Sequence, residues 1–297
     1  MAYLTIFSAP KNFTDSHINI IQRNAIQSWR HLKPDVDVLL VGEEEGMQTV
    51  VDEFSIRHLP DVKRNTWGTP LVSSIFQLAR EVSDSPYLAY VNADILLMPD
   101  IVEATRFVAP KCQKFLMVGQ RWDLDVKSPL SFEKDWDQAL REQTIREGEI
   151  HPPAGSDYFI FPRELFLDMP DFAIGRAGWD NWMIFHAIKS GYYVIDATHT
   201  IMVIHQNHDY GHLPGGVPHY DLEETRVNAL LGGGYGNMFM TLDTNYELID
   251  GVLKRSRWTR DRILRRLERF FKPKDDDNQG VWWKISRLFR RMRRGVL

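Results

Sequence analysis

Tyr87-Leu88-Ala89-Tyr90-Val91-Asn92-Ala93-Asp94-Ile95-Leu96-Leu97 is an apolar run interrupted by two polar side chains, Asn92 and Asp94. Such a run reads as a strand covered on both faces, as in a parallel sheet held between helix layers. Asn92 and Asp94 need a reason to be there. Two residues apart near the strand end, they point the same way off the pleat, so two oxygen donors converge. Ligands of open parallel sheets bind beyond the carboxyl ends of the strands, and hard oxygen donors suit Mg2+ or Mn2+ bridging a diphosphate. Turn capping ahead of Met98-Pro99-Asp100 explains the pair about as well.

The flanking sequence supplies the rest of an α/β alternation. Tyr3 to Phe7, ending at Ser8-Ala9-Pro10, reads as a buried strand and turn. From a cap at Asp15, Ile18, Ile21, Ala25, Ile26 and Trp29 recur at helical spacing until Pro34. Val36 to Val41 is a second strand, Met47 to Phe54 a short helix and Ser55 to Leu59 a third strand. Leu71 to Val82 is the helix leading into the central run. Phe115 to Gly119 and Tyr158 to Phe161 are further strands around a charged excursion, Trp122 to Glu149, with a helix near Glu133 to Arg146. Asp180 to Lys189 and Tyr192 to Ile195 add a helix and a strand, and Thr200 to Ile204 is strand-like.

The chain has 297 residues, 43% hydrophobic and 26% charged, which excludes disordered, collagenous and coiled-coil classes. A single cysteine, Cys112, permits no internal disulfide and suits a reducing compartment; its plainest role is packing. Tyr3 to Phe7 is too short for a signal or a membrane span, so a cytoplasmic location is expected. The net charge of −4 conceals a division: residues 254 to 297 hold 16 Lys and Arg against 5 acids, and residues 1 to 253 hold 20 against 35. The acidic body argues against a nucleic-acid-binding core, whereas the basic tail attracts phosphates.

Gly178-Trp179-Asp180-Asn181-Trp182 opens a helix that Gly191-Tyr192 ends, and the following run leads to His205. This order, behind a strand ending in Asn92-Ala93-Asp94, resembles the GT-A nucleotide-sugar glycosyltransferases, nearest to their family-2-type group. Arg64-Asn65-Thr66-Trp67-Gly68 also looks like that group's loop before the metal-motif strand. The resemblance covers roughly Tyr3 to His208. It implies a Rossmann-like GT-A fold, with a mostly parallel sheet flanked by helices. It further implies metal-dependent sugar transfer from a nucleoside diphosphate donor to a glycan or lipid-linked hydroxyl acceptor, as in polysaccharide biosynthesis. Asn92 and Asp94 match the Asp-x-Asp metal and nucleotide motif, Asp94 as direct ligand. Asp180 matches the base of inverting members, and His205 the metal-completing histidine. Ser8, Ala9, Pro10, Arg64, Asn65, Gly68 and Ala93 would line the donor site. Two departures stand out: Asn92 replaces the usual Asp, and Trp179 replaces a second acid.

Other residues carry weaker signals. His199, His205, His208, His212 and His219 cluster with Asp209, but no His-Glu-x-x-His helix or nearby cysteine supports zinc. His205 is the first metal candidate and His208 the second, and the Gly- and Pro-rich segment 211–218 reads as a lid. Asp157 falls at a strand's rim, where an acceptor would bind or an ordinary turn would form. Trp122, with Asp123, and Trp179 could stack on sugars or pack in the core. Gly232-Gly233-Gly234 lacks the strand–loop–helix frame of a dinucleotide site. A sugar nucleotidyltransferase would need a Gly-rich basic loop after the first strand, which Ser8-Ala9-Pro10-Lys11-Asn12 does not match; a non-catalytic binding protein would account for Asn92.

Thr259 to Phe271 and Val281 to Arg294 each place apolar and aromatic residues on one helical face and basic residues around the rest, joined by a polar linker at Lys274 to Gly280. Residues 1–253 are therefore read as the catalytic domain. Residues 254–297 are read as a basic amphipathic tail that holds the protein at the cytoplasmic face of an anionic membrane, with docking of the first helix on the body as the alternative.

Overall fold

The structure, a computed structural model, describes residues 1–208, 222–273 and 279–295. β1 (Leu4–Ser8), α1 (Ser16–Arg30), β2 (Val36–Val41), α2 (Met47–Phe54) and β3 (Arg57–Leu59) open the chain, and α3 (Val72–Val82) leads into β4 (Tyr87–Val91). Next come β5 (Ile95–Leu96), α4 (Asp100–Val108), β6 (Phe115–Val118), β7 (Trp122–Leu124), α5 (Trp136–Glu147), β8 (Glu149–Ile150) and β9 (Tyr158–Pro162). α6 (Trp179–Lys189), β10 (Tyr193–Asp196), β11 (Ile204–Gln206), α7 (Glu223–Leu231), β12 (Tyr246–Ile249) and β13 (Val252–Arg255) follow. α8 (Arg260–Phe270) and α9 (Gly280–Arg294) complete it. Asp15 caps α1 as its position suggests, its Oδ1 accepting from the N–H groups of His17 and Ile18 at 2.9 and 2.8 Å.

Nine strands form one sheet in the order β13-β12-β10-β6-β9-β4-β1-β2-β3. It is mostly parallel; β9 runs against β4 and β6, and β13 against β12. Alternate side chains serve two helix layers. Leu4, Ile6, Val38, Leu40 and Val91 face α1, α2 and α4, while Phe7, Leu39, Val41, Leu88 and Tyr90 face α3 and α6. Burying each such side chain contributes about 1.5–3 kcal/mol, so this alternation on both faces holds the sheet between its layers. The chain steps from β1 to β2 and β3 on one side and returns with β4 on the other side of β1. β1 and β4 are parallel neighbours, so the switch point lies between their carboxyl ends.

The central run is not one strand. β4 ends at Val91, the Ile95 N–H closes a turn on the Asn92 carbonyl at 3.1 Å, and β5 enters a second sheet ordered β5-β11-β7-β8. Both pieces are buried, so hydrophobicity continues through the break. The Trp29 indole N–H donates to the Ile95 carbonyl at 2.9 Å and fixes β5 to α1. Within the expected excursion Trp122 lies in β7, and of the strand-like run near Thr200 only Ile204 joins a sheet. Cys112 is buried in the core.

Residue 253 lies inside the β12–β13 hairpin, where Leu248 pairs with Leu253. α8 turns arginines toward the body. Arg262 Nη2 is 3.2 Å from Asp196 Oδ2, and Arg265 Nε and Arg269 Nη1 reach the Asp243 carboxylate at 3.0 and 3.1 Å. α9 folds back along α8, with Ser286 Oγ donating to the Glu268 carbonyl at 2.8 Å and the Phe271 ring stacked on Trp282. Among the described residues no helix is long and apolar enough to cross a membrane. His212, His219, Asp209 and the segment 211–218 lie outside the described residues.

Candidate metal centre

Lys11, just past β1, and Asp94, just past β4, meet at the switch point with Nζ 3.9 Å from Oδ2. β11 pairs with β5 so that His205 sits opposite Ile95, bringing its Nε2 to 4.0 Å from Asp94 Oδ2. His208, beyond the end of β11, places Nε2 at 3.2 Å from the same oxygen. One ligand atom from each of Asp94, His205 and His208 lies within 4.8 Å of the others. Asp94 Oδ1 is buried and has no hydrogen-bond partner among the described residues. An unsatisfied carboxylate oxygen is costly to bury, and a divalent cation would satisfy it, so the donor set fits a metal.

A second layer orients these groups. Asp123, opposite His205 on β7, places Oδ1 3.3 Å from His205 Nδ1. Its Oδ2 lies 2.6 Å from His151 Nδ1, and Arg121 Nε donates to Oδ1 at 2.9 Å. Arg121 Nη1 also donates to Asp157 Oδ2 at 2.8 Å, while the Asn92 amide donates to Asp157 Oδ1 at 2.7 Å. Asn92 thus spends its NH2 group on Asp157, which sits at the start of β9 on the rim of the centre.

Burial pushes the Asp94 carboxyl up, but the His208 hydrogen bond and the charges of His205 and Lys11 outweigh it and hold the group well below the usual carboxylate range. Asp123 behaves alike: burial opposes, and the His205 imidazole at 3.3 Å, the His151 hydrogen bond and the Arg121 charge prevail, keeping it low. Burial pulls the His205 imidazole down, yet Asp123 and Asp94 carry it above its ordinary value. For Lys11 burial wins over Asp94 and Asp157, and its ammonium is lowered.

Asp180 lies in the first turn of α6, inside the helix and not at its cap, which is Gly178; its Oδ1 accepts from the Gly178 N–H at 3.3 Å. Burial raises its carboxyl against those backbone bonds, and the nearby Asp157 charge raises it further. Ser8 is fully buried at the end of β1, followed by Ala9 and Pro10. Segment 64–68 is a self-closed turn. Asn65 Oδ1 accepts from the N–H groups of Trp67 and Thr69, Gly68 adopts φ +80°, and Arg64 bonds the Gly68 carbonyl and the Glu44 carboxylate. Asn65 Nδ2 donates to Glu224 of α7 at 2.7 Å. Among the described residues no hydrogen bond or ion pair links this turn to Asp94. Ala93 is buried between Asn92 and Asp94.

The expectation that Trp179 offers a sugar platform is corrected. The residue is 5% exposed, with Tyr90, Phe76 and Phe159 packed about its ring, which leaves no face for a ligand. Trp122 is partly buried against the small cluster of Leu96, Leu124 and Ile204. Lys11, Arg121 and His151 escaped the sequence reading as site residues, and Asp123, grouped there with Trp122 as a sugar contact, instead faces His205. Arg121 and Asp123 flank Trp122 at a two-residue spacing, which puts them on one side of a strand and was the available signal.

The sequence matches no protein-family model and no curated protein. Among solved structures, S. aureus TarS is 12% identical, with TM-score 0.41, over 70% of this chain and 58% of that one, so this chain spans less than two thirds of its length. A mannosyltransferase from Pyrobaculum calidifontis, in complex with GDP-Man and Mn2+, is 13% identical at TM-score 0.42, covering 98% of this chain and 69% of its own. Glucosyl-3-phosphoglycerate synthase from Mycobacterium tuberculosis, in complex with Mn2+, UDP and glucosyl-3-phosphoglycerate, is 13% identical at TM-score 0.44, covering 80% and 78%. The likeness to all three is one of fold alone.

Proposed function

We propose that this protein is a metal-dependent glycosyltransferase that moves a sugar from a nucleoside diphosphate donor to a hydroxyl of a glycan or lipid-linked saccharide. One observation carries the reading. Ligand atoms of Asp94, His205 and His208 converge within 4.8 Å at the carboxyl ends of β1 and β4, where an open α/β sheet binds its ligand. Two imidazoles among three ligands favour Mn2+ over Mg2+, which prefers an oxygen-only shell. A cation bound there supplies positive charge to the departing diphosphate.

This chain's own residues do the remainder. Lys11 adds a fixed positive group beside Asp94 for the diphosphate. Ala9 and the Arg64, Asn65 and Gly68 turn border the donor, with the buried Ser8 and Pro10 behind them, and Asn92 acts through Asp157 rather than as a strong anionic ligand. Asp157, with Trp122 nearby, receives the acceptor. Asp180 takes the acceptor's proton in an inverting displacement, its raised carboxyl making it a better base than an ordinary aspartate.

Mn2+ titration followed by electron paramagnetic resonance, together with donor hydrolysis in wild type and Asp94→Ala, tests the reading. Wild type should bind the ion and hydrolyse a nucleotide sugar only in its presence, and the variant should lose both. Equal ion binding by the two proteins would remove the centre. Pyrophosphate release from a nucleoside triphosphate and a sugar phosphate would point instead to a nucleotidyltransferase, for which Lys11 beside Asp94 is the supporting feature.

A further inference from the structure

We propose that the α8–α9 hairpin is a docking surface for an anionic lipid bilayer, with α9 supplying the charge and the exposed Phe270, Val281 and Trp282 side chains the apolar insertion. The assignment follows from which arginines are already engaged. Arg262 and Arg265 of α8 are buried against Asp196, Asp243 and Glu247, and Arg269 shares Asp243, so this basic face holds the hairpin to the body. Docking by charge leaves apolar side chains of α8 outward: Phe270 is 80% exposed.

α9 divides differently. Ser286 and Arg293 meet Glu268 on its inner side. Lys284, Arg287, Arg291 and Arg294 recur at helical spacing on the outer side, all exposed, with no carboxylate at ion-pair distance among the described residues. Five exposed cations, counting Arg290, lie on fifteen helical residues, and among the described residues none of the five has a carboxylate at ion-pair distance, Glu268 being engaged by Arg265 and Arg293. Burial chiefly, and the Arg294, Arg293 and Arg287 guanidinium groups beside it, lower Arg290, with Glu268 opposing in part.

At the end where α8 meets α9, Val281 and Trp282 are 68% and 61% exposed, and Phe271 stacks on Trp282 and touches Phe270 edge-on. A cationic helix face bordered by exposed aromatic and aliphatic side chains suits a bilayer interface. Anionic headgroups meet the guanidinium groups there, and Trp and Phe enter the acyl boundary. RNA would engage the charge but gain nothing from Val281 and Phe270.

The test is co-sedimentation of the full-length chain with large unilamellar vesicles of phosphatidylcholine, alone or mixed with phosphatidylglycerol. Wild type should pellet with the mixed vesicles only and be released by salt. Each basic residue near an anionic surface contributes about fivefold, so Lys284→Gln/Arg287→Gln/Arg291→Gln together should weaken partitioning on the order of 100-fold. Phe270→Ser/Trp282→Ser should weaken it at unchanged charge. These side chains are exposed, and an unchanged thermal midpoint confirms that each variant folds. Asp94→Ala should bind vesicles as wild type does, which separates this surface from the metal centre. Equal pelleting of the charge variant and wild type, no preference for anionic vesicles, or RNA binding that survives Phe270→Ser/Trp282→Ser without lipid binding would overturn the proposal.

Discussion

Asp123 and His205 face each other across the β7–β11 pair, with carboxylate Oδ1 3.3 Å from imidazole Nδ1, while the other ring nitrogen points toward Asp94. A carboxylate on the far nitrogen of a ligating histidine fixes the ring's orientation and raises its basicity. Asp123 is itself held by His151 and Arg121, so it has little freedom to leave.

Asp123→Asn should therefore weaken Mn2+ binding about 10–100-fold, the usual cost of losing such a partner. Ion affinity measured by paramagnetic resonance checks it, with the thermal midpoint in chelator as control. A loss of affinity without a matching loss of stability identifies a positioning role; unchanged affinity would mean that the Asp123 contact does not orient His205.

Much of the frame was legible because it is local. Val36 to Val41 follows from a short β-branched and apolar run, Met47 to Phe54 from the apolar positions after the Gly42 turn, and Asp15 from capping chemistry. The break after Val91 was hidden, because β5 is as buried as β4 and a two-residue strand has no period. The Asp123–His205 contact depends on β7 pairing with β11 some eighty residues away, which no local pattern encodes. The same holds for α8. Its apolar stripe suggests that face as the inner one; Leu264 is buried, but Asp196, Asp243 and Glu247 gather from distant segments and draw Arg262 and Arg265 inward beside it.

Gly119, at the end of β6, is there for want of a side chain. A Cβ would stand 2.5 Å from the Tyr158 hydroxyl and 3.0 Å from the Thr198 backbone nitrogen. Tyr158 is fully buried and Thr198 would have to move its backbone, so neither neighbour yields cheaply. Gly119→Ala should cost about 1–3 kcal/mol, the range for overpacking a well-filled interior. Chemical denaturation would register it as a lower midpoint at unchanged slope, and a midpoint equal to wild type would mean that the segment relaxes freely.

His186 introduces a pH dependence away from the metal centre. Its ring stacks on Trp182 at 4.5 Å, and burial lowers its pKa from 6.5, opposed in part by Asp168. A depressed value means that the folded state holds the proton less tightly than the unfolded chain does. The stability of the neutral ring is thus complete above 6.5 and is lost as pH falls through the lower folded value. Melting temperature should fall between neutral pH and about pH 5, and His186→Phe should flatten part of that fall. A wild-type profile identical to the variant's would exclude the ring.

Arg265 should dominate the attachment of α8. Its guanidinium reaches Asp243 at 3.0 Å, Glu268 at 3.0 Å and the Met238 carbonyl at 2.7 Å, and the Asp243 side chain is 1% exposed. Removing one member of a buried pair costs about 3–5 kcal/mol when the other charge is left without compensation; here Arg269 and the Met240 N–H still hold Asp243, so the cost falls below that range. Arg265→Met should still destabilise measurably, and Arg265→Met/Asp243→Leu should recover part of the loss, because the carboxylate that has lost one of its two arginines is gone. Arg269, which also contacts Asp243 at 3.1 Å, limits the recovery, since it loses its partner in the double variant. Urea denaturation of the single and double variants gives the coupling energy directly. Additive losses would mean that Arg265 and Asp243 act independently, leaving Arg262 with Asp196 and Glu247, and the buried Leu264, to fasten the helix to the body.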